Sequence, residues 1–216
     1  MAQVVFAVAP VRTCCRTSAM AMFARIAGFS SGFAGLAAAE TWLTKKLAGS
    51  VPMLAEKANV EVPRLYGLVV AGAVGTGWLM FFLGMNVGMS RNKFIEKAKK
   101  EGDDNAEERY SYPKVYAEGF GETAKEFNCV QRAHQQAMET YPQMLAFSLL
   151  GGLRHPILAS LGQLVWIIAR WKWAQGYSTG KPDQRYATKW GFHIWTSLIL
   201  EMTLAVSAGL GIMKVV

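Results

Sequence analysis

Hydrophobic residues are concentrated in separate stretches of the chain, and the clearest of these lies between two arginines. The 26 positions from Leu65 to Ser90 carry no charged residue and are flanked by Arg64 and Arg91. A helix needs about 20 consecutive apolar residues to cross the hydrocarbon core of a bilayer. This stretch therefore predicts a membrane-spanning helix over residues 64–90.

Two more apolar stretches lie in the C-terminal half of the chain. Residues 188–213 contain a single acid, Glu201, within an otherwise apolar run, and they predict a second spanning helix. Residues 156–177 carry no charge in their first 14 positions and then continue through Arg170 and Lys172. Because long basic side chains can extend to the membrane interface, this segment also predicts a span.

A polar stripe distinguishes the remaining predicted helix, residues 127–153. Its second half is apolar but too short to cross a bilayer alone. In the first half, polar side chains recur at offsets of 0, 4, 7 and 11 positions: Arg132, Gln136, Glu139 and Gln143. These offsets place the four side chains on one helix face. In a membrane, such a face must turn away from lipid, towards other helices or a water-filled cavity.

Together, the four segments predict an all-α fold, an integral-membrane four-helix bundle. Residues 62–216 would form this domain, with a charged loop at 91–126 between the first two helices. Residues 1–61 would form a polar N-terminal extension. Basic residues are more numerous beside the first and third loops, which predicts that these loops face the cytosol or an equivalent compartment.

The composition agrees with a membrane protein diluted by polar segments. Only 18% of the residues are charged, against roughly 25% in soluble domains, and 52% are hydrophobic. These values exclude a disordered or collagen-like chain. The net charge is +8, but no nucleic-acid-binding motif accompanies it, so we expect no nucleic acid partner. The spacing of Cys14, Cys15 and Cys129 indicates neither a disulfide framework nor a metal site.

The first 39 residues contain no acid, and their arginines alternate with Ser, Thr, Ala and Phe. This pattern is typical of a mitochondrial or plastid transit peptide. A retained amphipathic extension would have the same composition, so both interpretations stay open.

Polar side chains of two predicted helices can converge at one membrane boundary. They are Arg132, His134, Gln136, Glu139, Tyr177 and Arg185. Such a set suits a small anionic peptide, since an arginine offers two parallel hydrogen bonds to a carboxylate and a glutamate can hold an amino group. Tyrosine and arginine donors can also stabilise a developing thiolate.

Three motifs carry a resemblance to a known family. They are Phe-Asn-Cys-Val-Gln-Arg-Ala-His-Gln-Gln-Ala-Met-Glu-Thr-Tyr-Pro ending at Pro142, Gly-Gly-Leu-Arg-His-Pro ending at Pro156, and Gly-Tyr-Ser-Thr-Gly-Lys-Pro ending at Pro182. In order and spacing they resemble the MAPEG family, the membrane-associated proteins in eicosanoid and glutathione metabolism. The resemblance covers roughly residues 62–214.

The resemblance implies a homotrimer that binds glutathione as co-substrate between neighbouring protomers, near the cytosolic surface. It implies a glutathione transferase or peroxidase that acts on electrophilic lipids or lipid hydroperoxides, in the endoplasmic reticulum. The implied glutathione-binding residues are Arg132, Gln136, Glu139, Tyr177 and, at the end of the first helix, Arg91, with His134 as a supporting hydrogen-bond partner. Arg185 would activate the thiol, with help from Tyr177.

Two positions depart from the family pattern. Gln136 stands where the family usually has an asparagine, and Trp173 stands where many relatives have a second tyrosine. With the leader-like first residues and the long charged loop, these departures favour a second hypothesis. In it, the protein is a catalytically weak or inactive structural subunit of a larger organellar membrane complex.

Overall fold

The computed structural model describes residues 62–212, together with positions 35, 38, 39, 42, 43, 46 and 47. The chain divides into two compact units, Met1–Val60 and Glu61–Val216. In the first unit, the described positions are helical and exposed. The predicted transit peptide lies almost wholly outside the described residues.

Four long helices make up most of the second unit, and its described residues include no strand. They are α1 (Tyr66–Lys100), α3 (Glu122–Gly152), α4 (Pro156–Tyr177) and α5 (His193–Ile212), with a short helix α2 (Ala106–Tyr110) after α1. The predicted all-helical fold is confirmed. Two segments, Tyr66–Lys100 and Lys189–Ile212, are long and apolar enough to cross a membrane.

The helices pack as a bundle in which α1 contacts α3 and α4, and α5 contacts the same two helices. Buried side chains from all four helices form the central core: Leu79, Met80, Ala133, Ala137, Met144, Trp166, Ala169 and Ile194. Glu201 of α5 is also fully buried, and Gly162 of α4 leaves the space that its carboxylate occupies. Neither carboxylate oxygen of Glu201 has a hydrogen-bond partner among the described residues.

The first two long helices extend further than the hydrophobic pattern predicts. Helix α1 continues to Lys100 rather than ending at residue 90, and α3 begins at Glu122 rather than at residue 127. The extension of α1 is amphipathic, since Phe94 and Ala98 lie one turn apart and are both buried. The charged residues that begin at Arg91 therefore mark the end of the apolar segment and not the end of the helix.

Part of the predicted charged loop is a packed structure. Its side chains form a second hydrophobic cluster with the ends of α1 and α3, here called the loop-side core: Val87, Phe94, Ala98, Ala106, Tyr110, Ala117, Ala124, Phe127 and Val130. The rings of Tyr110 and Phe127 meet edge to face at 5.5 Å, a favourable aromatic geometry. The loop therefore has a fixed shape beside the helix ends.

The connection between α4 and α5 also differs from the prediction of a helix starting at residue 188. It contains two 3₁₀ turns, η1 (Pro182–Tyr186) and η2 (Lys189–Phe192), and α5 begins only at His193. The cause is a close approach of backbones, since a methyl group at Gly191 would lie 2.7 Å from the carbonyl oxygen of Arg185. This contact folds the segment after α4 back onto itself.

Candidate functional site

The polar face of α3 contains an ion pair. Arg132 donates from Nη1 to Oε1 of Glu139 at 2.5 Å, and from Nη2 to Oε2 at 3.3 Å. The two residues are seven positions apart, so the pairing agrees with the shared face that their spacing predicts. Both side chains remain partly exposed, at 36% for Arg132 and 47% for Glu139. Each charge is therefore accessible to a ligand that replaces its present partner.

Gln136, on the same helix, is bound inwards to α4. Its side-chain oxygen accepts a hydrogen bond from Nη1 of Arg170, whose Nη2 donates to Oγ1 of Thr140 at 2.7 Å. Arg170 is fully buried and lies over the ring of Trp166 at 5.2 Å. The expectation that Arg170 extends to the membrane interface is wrong, because its guanidinium group finds hydrogen-bond acceptors inside the bundle.

Arg185 lies in η1, between two aromatic rings. Its guanidinium carbon is 5.8 Å from the ring centre of Tyr177 and 5.3 Å from that of Tyr186, and Nη1 donates to the Pro182 carbonyl at 2.8 Å. Gly176 of α4 allows this arrangement, since any side chain there would collide with the Gln184 carbonyl oxygen. The local fold therefore fixes Arg185 beside the tyrosine at the end of α4.

Tyr177 itself is held by stacking. Its ring lies 5.0 Å from the ring of Trp173, with 22° between the two planes. Trp173 has no hydroxyl group, but it provides the surface that orients the phenol of Tyr177. Tyr177 thus has Trp173 on one side and the guanidinium group of Arg185 within cation–π distance.

A pocket of about 410 Å³ opens where α3 begins and α4 ends, within the roughly 300–1,000 Å³ range of small-molecule sites. It brings together Arg132 and Tyr177. The loop and the first turns of α3 supply the rest of its lining: Tyr116, Gly119, Phe120, Lys125, Asn128 and Cys129. These residues were not predicted from the sequence as parts of the site. The only indication of their role is that several of them lie just before the polar stripe of α3. The pocket has two cations, Lys125 and Arg132.

Of the seven predicted site residues, only Arg132 and Tyr177 line this pocket. The other five lie outside its lining: Gln136, Glu139, Arg185, His134 and Arg91. His134 is half-buried on α3, and a methyl group at Gly84 of α1 would lie 3.3 Å from its Nε2. Its position is that of a packing residue between the two helices. Arg91 is 5% exposed and lies in the loop-side core.

Arg91 donates hydrogen bonds to two backbone carbonyl groups of the loop. Its Nη1 donates to the Tyr110 carbonyl at 2.8 Å and its Nη2 to the Lys114 carbonyl at 3.0 Å. The ring of Tyr112 covers the guanidinium carbon at 4.2 Å. The structure therefore gives Arg91 a role in shaping the loop that carries Tyr116 and Phe120 to the pocket.

Replacing Arg91 by alanine should loosen this loop. Two carbonyl groups would lose a charged donor, and an unsatisfied buried acceptor costs about 1–3 kcal/mol. We expect faster hydrogen exchange at residues 103–120, measured by mass spectrometry. As a control, Arg109→Ala removes a more exposed ion pair with Asp103, at 3.4 Å, and should change exchange much less. Equal exchange in the two variants would contradict the role of Arg91.

The fold and the pocket define a class of protein: an α-helical integral membrane protein with a cationic, tyrosine-lined site where its helices leave the apolar segments. The sequence model of the MAPEG family matches residues 69–206, from the first turn of α1 to the second half of α5, and the chain belongs to this family. Membership indicates a membrane protein of glutathione or eicosanoid metabolism. The family includes glutathione transferases and related enzymes, whose members use glutathione as a substrate.

Proposed function

We propose that the protein is a membrane-bound glutathione transferase or peroxidase that acts on electrophilic lipids or lipid hydroperoxides. The observation that carries this proposal is the pocket that joins Arg132 to Tyr177, with Arg185 fixed against the same tyrosine. The two cations of the pocket, Lys125 and Arg132, suit the carboxylates of glutathione, and the phenol of Tyr177 with Arg185 against it suits the thiol.

The peptide would be bound by the polar face of α3 and the start of that helix. Arg132 and Lys125 would pair with carboxylates of glutathione, and Glu139 with its amino group. The Arg132–Glu139 pair would then exchange one internal ion pair for two contacts with the ligand. In this proposal Gln136 acts through Arg170, because its side-chain oxygen is already bound to that guanidinium group.

The thiol would ionise next to Arg185 and Tyr177. A guanidinium charge and a phenol donor both stabilise the thiolate, which is the nucleophilic form of a thiol. The thiolate would attack an electrophilic carbon of the lipid and form a carbon–sulfur bond. With a hydroperoxide, the thiolate would attack the terminal oxygen, which breaks the oxygen–oxygen bond, releases the lipid alcohol after protonation and leaves glutathione sulfenic acid. The thiol of a second glutathione would then form the disulfide and release water.

We further propose four membrane spans and a homotrimer, with glutathione entering from the cytosolic side. The motif at the start of α3 most resembles that of the type 3 microsomal glutathione S-transferases, which favours the endoplasmic reticulum. The acid-free first 39 residues favour a mitochondrial or plastid membrane instead.

Glutathione binding to the purified full-length chain tests the proposal. Arg132→Gln should weaken binding about 10- to 100-fold, because a hydrogen bond to a charged group contributes about 1.5–3 kcal/mol. Isothermal titration calorimetry would measure this in detergent or nanodiscs. Arg64→Gln, an exposed arginine before α1, is the matched control and should bind like the unchanged protein. Absence of binding by the unchanged protein would refute the proposal.

The second candidate is a structural subunit of a larger organellar membrane complex. One observation favours it: three of the predicted ligand-binding residues of α3 are already paired, Arg132 with Glu139 and Gln136 with Arg170. A site that satisfies itself needs no ligand to be stable. This candidate predicts no glutathione binding and elution from native membranes only with other proteins, whereas the enzyme should elute as a trimer on its own.

A further inference from the structure

Tyr186 is a second phenol beside Arg185, and nothing in the sequence motifs pointed to it. It is the last residue of η1 and follows Arg185 directly. Its ring lies 5.3 Å from the Arg185 guanidinium carbon. Arg185 is therefore placed between two phenols, Tyr177 from α4 and Tyr186 from η1, and each can influence the position and the effective charge of the guanidinium group.

Tyr186 is 43% exposed, and one edge of its ring packs on η2. A methyl group at Gly191 would lie 3.4 Å from Cδ1 of Tyr186 and 3.4 Å from Cδ1 of Trp173. On the other side, a methyl group at Gly176 would lie 3.2 Å from the Cα of Arg185. Since both neighbours approach glycine positions, the segment with Arg185 and Tyr186 is clamped between α4 and η2.

Three hydrogen-bond donors face the Tyr186 hydroxyl group. They are the indole N–H of Trp195, the indole N–H of Trp173 and the guanidinium group of Arg185. Indole is a donor only, and so is guanidinium. A phenol oxygen surrounded by donors can accept all of them best as a phenolate. These hydrogen bonds, with Trp195 first, hold the pKa of the Tyr186 phenol below its ordinary value of 10.0.

The charged groups near the Tyr186 phenol are cations. Arg185 adjoins it in η1, and Arg170 of α4 is close enough to interact with it electrostatically. Trp173 and Trp195 contribute no charge, and Tyr177 lies across Arg185. Ionisation of Tyr186 would therefore place a negative charge directly against the guanidinium group that the proposed reaction uses.

We propose that Tyr186 is a positioning residue for Arg185, and that ionisation of its phenol sets an alkaline limit to the binding of an anionic sulfur group. The inference rests on the proposed glutathione site. While Tyr186 is neutral, its ring holds the Arg185 guanidinium group by the cation–π contact at 5.3 Å and leaves the full positive charge available to the ligand. Once Tyr186 loses its proton, the phenolate neutralises Arg185, and the site loses affinity for an anion.

The probe for this proposal is glutathione sulfonate, whose sulfur group is anionic throughout the relevant pH range. Binding would be measured from pH 7 upwards for the full-length protein and for Tyr186→Phe. At neutral pH, we expect Tyr186→Phe to bind like the unchanged protein, because phenylalanine keeps the ring that faces Arg185. As pH rises through the Tyr186 pKa, which lies below 10.0, binding by the unchanged protein should weaken about 3- to 10-fold relative to the variant, because only the tyrosine can become an anion beside Arg185.

The quantity compared is the ratio of the two Kd values. Groups that the two proteins share, and the amino group of the probe, affect both Kd values alike and cancel from this ratio. Tyr66→Phe is the matched control: it removes a phenol that donates to the Leu149 carbonyl at 3.0 Å, at the other end of α1. Its ratio to the unchanged protein should stay constant with pH. A constant ratio for Tyr186→Phe as well would overturn the inference.

A second measurement does not depend on any ligand. Ultraviolet difference spectra between the unchanged protein and Tyr186→Phe give the pKa of this one phenol. The difference between Arg185→Gln and the double variant gives the same pKa without the arginine, and we expect it to be higher. An unchanged pKa would overturn the coupling. If the spectra show coupling but the unchanged protein does not bind the probe, the proposed function fails and not the link between the two residues.

Discussion

Replacing Arg185 by alanine is expected to lower the turnover of glutathione about 100- to 1,000-fold, the usual effect of removing one donor that stabilises a developing anion. The guanidinium group is held between Tyr177 and Tyr186 and is tied to the Pro182 carbonyl. It is thus oriented before a ligand arrives, and no other described cation is fixed in this way beside Tyr177. In the proposed site, loss of this side chain would remove the positive charge that stabilises the thiolate.

The effect should fall on kcat rather than on the binding of the peptide. Arg132 and Lys125 line the pocket independently of Arg185, so the affinity for glutathione should change much less than the rate. The spectroscopic pKa of bound glutathione should rise towards that of the free thiol. Arg185→Lys should recover part of the rate, since lysine keeps the charge but loses the planar fork of donors.

Two controls separate chemistry from folding in this experiment. Arg64→Ala removes an exposed arginine at the far end of α1 and should leave the rate unchanged. Circular dichroism and size-exclusion elution should be the same for all variants. Conjugation by Arg185→Ala at the rate of the unchanged protein would exclude Arg185 as the group that activates the thiol.

A large loss of stability is expected from Gly151→Ala, at the contact between α3 and α5. A methyl group at this position would lie 2.7 Å from the Cβ of Leu204 and 2.9 Å from the backbone nitrogen of Ala205. Backbone atoms of α5 cannot move aside as a flexible side chain can, so α3 and α5 would have to separate. Overpacking of this kind costs about 1–3 kcal/mol.

The matched control is Gly209→Ala, since Gly209 of α5 has no atom within 4 Å of the added methyl group. That variant should be neutral or slightly stabilising, because alanine favours a helix over glycine. Thermal unfolding in detergent measures both, and 1 kcal/mol corresponds to about 2–4 °C for a chain of this size. Equal midpoints for the two variants would show that the contact between α3 and α5 is looser than the distances indicate.

The apolar parts of the helices could be predicted from the sequence, but their polar extensions could not. Leu65 to Ser90 is recognisable because lipid excludes charge, whereas the extension to Lys100 depends on Phe94 and Ala98 packing in the loop-side core. A segment with so many charged residues gives little sign of such a cluster before the chain is folded. Long-range contacts between α1, the loop and α3 decided its structure.

The candidate site was predictable to the extent that it follows one helix face. The spacing of Arg132 and Glu139 placed them together, and both lie on the face that forms the ion pair. The role of Gln136 was not predictable, because its partner Arg170 comes from another helix 34 positions away. The role of Tyr186 was not predictable for the same reason, because the indole groups that influence its phenol belong to Trp173 and Trp195, on two other helices.

The buried charges of α4 and α5 also bear on how the chain enters a membrane. A lone arginine or aspartate at the centre of a spanning helix adds about 2.5–3.5 kcal/mol to the free energy of its insertion. A glutamate, which is also ionisable, makes insertion less favourable too. In the proposed four-span arrangement, α4 carries Arg170 and α5 carries Glu201, both fully buried in the finished bundle. The insertion free energy of each helix by itself is therefore less favourable than that of a wholly apolar helix. Arg170 finds its acceptors on α3, and Glu201 lies against Gly162 of α4. Insertion of α4 and α5 is therefore favoured as a hairpin that leaves the translocon after α3 is in place.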